Sequence, residues 1–130
     1  MAFMYSEETY SLLDKTIATV TRIISQSEPV SCVNDYLETP WGMERLESTS
    51  MLLIVMGESL KGLDKLTDGA LLSRYPNIDW KGAKGLRDVI AHNYFDLDAE
   101  VIFEVVKNEL PPMLSTLQKM KSDIQQGYSC

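Results

Sequence analysis

The chain is expected to fold as an all-α protein, an antiparallel up-and-down bundle of four to five helices. Apolar residues recur at spacings of three and four along most of its length. Residues that cap or start helices stand where those stretches begin, and proline or glycine stands where several end. No stretch alternates apolar and polar residues for long enough to suggest a strand.

The first helix is expected from about Ser6 to Gln26, where Tyr10, Leu13, Ile17, Val20 and Ile24 form one stripe and Pro29 closes the element. Residues 27 to 40 read as a loop, with one helical turn near Asn34. A second long helix begins at Pro40-Trp41, proline being suited to a first turn, and runs to about Leu66. Leu46, Leu53, Met56, Leu60 and Leu63 form its stripe, and Leu52, Ile54 and Val55 widen it, so this helix should be central. Residues 67 to 78 form a connection containing Gly69 and Pro76. Asp79 is the expected N-cap of a third helix from Trp80 to about His92. Gly82 and Gly85 inside it suggest close approach of another backbone or a ligand. Asp98 caps the next helix, led by Val101, Val105 and Val106. Pro111-Pro112 kinks or restarts it, and Met113, Leu117, Met120 and Ile124 continue the stripe. The tail from Gln125 is expected to fray.

A length of 130 residues suits one domain with its own core, spanning residues 1–130. The chain is 45% hydrophobic, yet no run reaches the roughly 18 apolar residues of a membrane span. The first residues lack the profile of a signal peptide. A soluble, cytoplasmic protein is expected, with Cys32 and Cys130 as free thiols. One histidine and two distant cysteines make no metal-ligand cluster, and no glycine-rich phosphate loop is present, so neither a metal nor a cofactor is expected.

The net charge of −7 argues against indiscriminate nucleic-acid binding. The charge is unevenly spread. Lys61, Lys65, Arg74, Lys81, Lys84 and Arg87 outnumber Asp64, Asp68 and Asp79 in the segment they span, which carries +3 against −10 for the rest. This is either uneven scatter or a basic patch able to receive a phosphate chain. The segment ends at Arg87-Asp88-Val89-Ile90-Ala91-His92-Asn93-Tyr94, which contains the only histidine. Asp88 stands one helical turn before His92, where a carboxylate can fix the imidazole tautomer and raise its pKa for acid–base work. Arg87 stays charged and suits phosphate oxygens. Tyr94 can donate to phosphate or stack on a base. The plainer reading is a helix-terminal histidine among surface ion pairs.

Arg87-(x)4-His92-x-Tyr94 resembles the signature of the HEPN superfamily, specifically the HepT-like toxins of toxin–antitoxin pairs. Val55-Met56-Gly57-Glu58-Ser59 resembles the family's "IGEA" segment, and Tyr75-Pro76-Asn77-Ile78-Asp79-Trp80 its "YPxIxW" lead-in. Gly85-Leu86 and Tyr94-Phe95-Asp96-Leu97-Asp98 also fit, so the resemblance covers roughly Leu46 to Leu117. It implies a helical homodimer with a composite cleft at the interface. It also implies metal-independent endoribonuclease activity on RNA such as tRNA or mRNA, by attack of the 2′-hydroxyl on the adjacent phosphate. His92 would be the acid–base residue, Arg87 the phosphate ligand and Asp88 the orienting group. Tyr94 matches the tyrosine that a partner nucleotidyltransferase antitoxin modifies with AMP. Asn93 departs from the small residue many relatives carry between histidine and tyrosine, which alters the turn that places Tyr94.

Lys81 and Lys84 are candidate RNA contacts, as is Asn93. Glu58, an acid on an apolar helix, is expected to pair with an arginine across the bundle or interface, or else to support the site. Gly57 is read as a packing residue, and Trp41 and Trp80 as core or interface aromatics. The alternative function is a non-catalytic nucleotide- or partner-binding subunit of a nucleotidyltransferase complex.

Overall fold

The computed structural model describes residues 5–92 and 97–125, without the side chains of Ala91 and His92. Among the described residues the chain is helical, with no strand. Asn93, Tyr94 and the tail beyond Gln125 lie outside them.

Helix α1 (Glu7–Gln26) starts at Ser6, whose hydroxyl accepts from the Thr9 amide at 3.2 Å. Its fully buried residues are Thr9, Leu13, Thr16, Val20 and Ile23, while Tyr10, Ile17 and Ile24 flank that line. The buried face is thus rotated slightly from the expected stripe. Thr16 can enter the core because its hydroxyl is satisfied twice, by the Leu12 carbonyl (2.8 Å) and the Ser59 hydroxyl (2.9 Å). The C-terminus of α1 has no basic residue of its own. Lys107 supplies the cation from another helix, donating to the Ser27 carbonyl at 2.9 Å.

The expected helical turn near Asn34 is α2 (Asn34–Leu37). The central helix α3 spans Pro40–Thr67. Thr39 caps it by accepting from the Gly42 amide at 2.9 Å, and Pro40 occupies its first turn. It ends through Asp68 (φ 54°) and Gly69 (φ 76°), two consecutive left-handed residues that let the Gly69 amide reach the Asp64 carbonyl at 2.8 Å. Leu46, Leu53, Met56, Leu60 and Leu63 are all buried, as their spacing requires. Val55 does not join them, because it points away from the bundle and is 44% exposed.

The third expected helix is two helices, α4 (Trp80–Lys84) and α5 (Leu86–His92), broken at Gly85. The Gly85 amide closes α4 by bonding to the Lys81 and Gly82 carbonyls. Asp79 caps α4 through the Gly82 amide at 2.9 Å. Gly82 is needed for that cap, since a Cβ there would collide with the Asp79 carboxylate. The close backbone approach expected at Gly82 is instead found at Gly57, where a Cβ would sit 3.0 Å from the Ala83 carbonyl oxygen. Trp80 is buried, with its Nε1 donating to the Tyr75 carbonyl at 2.9 Å. Trp41 is not in the core: it is 43% exposed, with the Arg45 guanidinium 4.9 Å from its ring centre.

Asp98 caps α6 (Ala99–Glu104) by accepting from the Glu100 and Val101 amides. A π turn over Val105–Glu109 leads into α7 (Leu110–Gln125). The wide turn lies where Pro111 and Pro112 remove two donors and crowd the preceding carbonyls. The helix therefore restarts without a sharp break. Helix α1 packs on α3 and α7, and the α4–α5 pair lies against α3.

Tyr75 and α7 are joined by a 2.6 Å bond from the Tyr75 hydroxyl to Asp123. That hydroxyl, aided by Lys119 and Arg74, holds the Asp123 carboxyl below its usual 3.8. A lowered folded-state pKa means that the contact stabilises the fold above the unfolded value and is lost as pH falls through the lowered one. Asp123→Asn is expected to be less stable than wild type at neutral pH and to lose less of its stability below about pH 4, read as urea midpoints against pH.

Candidate active site

The candidate site is built on α5 and the face of α3 beneath it. Leu86 and Ile90 are buried and hold α5 against the core. Arg87, Asp88 and Val89 consequently face outward. Asp88 and His92 occupy positions one turn apart within the same helix. The structure thus keeps Arg87, Asp88 and His92 on one short element that starts at the Gly85 break. The Asn93 and Tyr94 contacts expected from the motif lie outside the described residues.

The seam between α3 and the α4–α5 pair places opposite charges side by side. Arg87 Nη1 lies 3.6 Å from Glu58 Oε2, and Lys61 Nζ donates to the same oxygen at 3.3 Å. Glu58 therefore has the arginine partner expected of it, within one subunit. The Lys61 hydrogen bond, reinforced by the charges of Lys61 and Arg87, holds the Glu58 carboxyl below its usual 4.5. Further along α3, Asp64 binds Lys84, and both side chains are about a quarter exposed. Lys84 is thereby committed to a contact within the fold, whereas Lys81 is exposed on α4.

The basic segment of the sequence is not a bare cationic surface. Three of its cations, Lys61, Lys84 and Arg87, sit against the α3 carboxylates Glu58 and Asp64. Spacing on α3 alone contains part of this pattern, since Glu58 and Lys61 are three residues apart. The Asp64–Lys84 pair had no local signal. A second unanticipated feature is that Met51 (60%) and Val55 (44%), at helical spacing with Glu58, leave apolar side chains exposed on that face of α3, and Val89 (46%) is exposed on α5.

Among the described residues no group of histidine, cysteine or acidic side chains is arranged to hold a metal ion, and no helix is long and apolar enough to cross a membrane. Cys32 is exposed and free.

Residues 42–120 match the family model described as ribonuclease HepT-like. The chain belongs to the HepT-like family. The matched span includes α4, α5 and almost all of α3, so the Glu58–Arg87 seam lies inside it. The HepT-like chain is 33% identical over 73 residues to a Methanocaldococcus jannaschii protein named "Putative RNase MJ0127", covering 56% of this chain and 57% of that one. A second protein of that organism, "Putative RNase MJ1216", matches with the same identity and coverage. "Probable ribonuclease HepT" of Thermococcus cleftensis is 26% identical over 108 residues, covering 81% of this chain and 89% of that protein. The HepT-like chain thus spans a little over half the length of the first two relatives. No solved structure matches it.

Proposed function

We propose that this HepT-like protein is the toxin of a toxin–antitoxin pair, a homodimeric, metal-independent endoribonuclease. The observation that carries the reading is the placement of Arg87 on an exposed helical face one element-length from His92, inside the span matched to the ribonuclease HepT-like family. In the proposed reaction His92 accepts the proton of an RNA 2′-hydroxyl as that oxygen attacks the adjacent phosphorus. The 5′-oxygen leaves and takes up a proton from the protonated imidazole of His92 or its dimer mate. The products are a 2′,3′-cyclic phosphate and a free 5′-hydroxyl. Arg87 binds the non-bridging oxygens, which gain charge in the transition state. Asp88, one turn before His92, orients the imidazole and favours its protonated form. Lys81 and Asn93 extend the phosphate track. The partner antitoxin is a nucleotidyltransferase that adds AMP to Tyr94, putting bulk and negative charge in the cleft.

Met51 and Val55 support the dimer, because they are exposed apolar residues on the α3 face that carries Glu58, and a two-fold contact there would bring two motifs together. Val55→Glu is expected to yield a folded monomer by sedimentation equilibrium, with RNA cleavage lost. A Val55→Glu protein that remains dimeric would remove this face from consideration as the interface.

The reaction is tested by incubating the protein with total tRNA and a short RNA in EDTA, with intact mass recorded on the same sample. Cleavage to cyclic-phosphate ends is expected. An uncleaved substrate with an unmodified protein mass would replace the nuclease reading with that of a binding subunit. An uncleaved substrate with a mass raised by one AMP would identify the silenced form.

A further inference from the structure

The carboxylate beside Arg87 has no part in the proposed bond-making steps. Glu58 and Arg87 are both about half exposed, with side-chain exposures of 43% and 55%. A pair so open to water adds little to stability. Its location is more informative. Leu86 and Ile90 anchor the backbone of α5, and the absence of a side chain at Gly57 lets the end of α4 rest on α3. The remaining freedom at Arg87 is in its own long side chain. Glu58, the residue after Gly57, approaches that side chain at Nη1, with Oε2 3.6 Å away. A guanidinium carries five N–H donors in one plane, so a carboxylate on one edge leaves donors for a second anion.

Lys61 makes this arrangement compatible with a phosphate. It shares Oε2 with Arg87, at 3.3 Å. The trio Glu58, Lys61 and Arg87 then carries a net charge of +1, so it still attracts a phosphodiester although it contains a carboxylate. The Asp64–Lys84 pair further along α3 is neutral and leaves that balance unchanged.

We propose that Glu58 is a positioning residue, whose carboxylate holds one edge of the Arg87 guanidinium and sets its remaining N–H groups toward an RNA phosphate. The inference rests on the reading of Arg87 as the phosphate ligand. Lys61 offsets the charge of Glu58 so that the hold does not repel the strand.

Two variants separate positioning from simple electrostatics. Glu58→Asp keeps the charge but shortens the reach, and Glu58→Gln keeps the shape but removes the charge. The first readout is binding of a 2′-O-methyl oligonucleotide, which cannot be cleaved. Glu58→Asp is expected to weaken binding by about threefold or more when Arg87 is present and to have no effect in Arg87→Ala. The same loss in both backgrounds, or none in either, overturns the inference. Tighter binding by Glu58→Gln with wild-type binding by Glu58→Asp also overturns it, because Glu58 would then compete with phosphate. The second readout is kcat, expected to fall about tenfold in both variants. A wild type that binds the oligonucleotide but cleaves no RNA would remove the nuclease reading alone, leaving the binding cycle to decide the role of Glu58.

Discussion

His92→Ala is expected to lose RNA cleavage by roughly three orders of magnitude or more, since the substitution removes both the base and the acid of the proposed reaction, whichever subunit supplies each. The Arg87→Ala loss is expected to be of order 10²–10³ in kcat, the scale of one well-placed donor to a developing oxyanion. The two losses should not add, because a misplaced phosphate leaves the imidazole little to act on. Neither substitution should unfold the protein. Arg87 is half exposed and its ion pair is of the weak, solvated kind. The check is single-turnover cleavage in EDTA alongside thermal melts of each variant. Wild-type cleavage by His92→Ala, with stability unchanged, would mean that another group moves the proton.

Gly42→Ala is expected to cost about 3 kcal/mol, lowering Tm by about 10 °C. A Cβ at Gly42 would overlap the Asp35 carbonyl oxygen and lie 3.0 Å from the carbonyl carbons of Asp35 and Tyr36. Those atoms are backbone, and α2 is tied down on either side. The Asp35 carboxylate accepts from the Ser31 amide at 2.7 Å, and the Tyr36 side chain is fully buried. Gly62→Ala is the fitting control. Its Cβ would meet only the end of the Leu12 side chain, at 2.7 Å, and a leucine can rotate away. A calorimetric scan should therefore separate the two variants clearly. Equal melting temperatures would show that α2 moves off α3 at little cost.

Much of this fold was legible in the sequence. Ser6, Asp79 and Asp98 cap helices where short polar side chains precede helical stretches. The five apolar residues chosen for the α3 stripe are all buried, because a long helix with that spacing has one way to hide them. The candidate site was only partly legible. Arg87, Asp88 and His92 are close in sequence, so their common helix followed from local pattern. The acidic partners on α3 did not follow in the same way. Glu58 was expected to meet an arginine, but whether within the subunit or across an interface was open. The tie between Asp64 and Lys84 spans 20 residues, with a connection and a capped turn between them.

Local chemistry read Gly57 as a packing residue, as it is, but did not decide what Gly82 and Gly85 are for. Gly57 makes room for a neighbouring helix, Gly82 accommodates a cap, and Gly85 separates α4 from α5. Likewise Val55 belongs by composition with the apolar residues of α3 yet lies outside the bundle. The all-α class, the caps and the order of the helices came from the sequence by itself, because turn geometry and side-chain periodicity act within a few residues. The packing of α3 against the α4–α5 pair, and hence the carboxylate beside Arg87, and the exposure of Met51 and Val55 on α3, came only from tertiary structure. Those contacts depend on the relative rotation of whole helices, which is set by how the entire core closes.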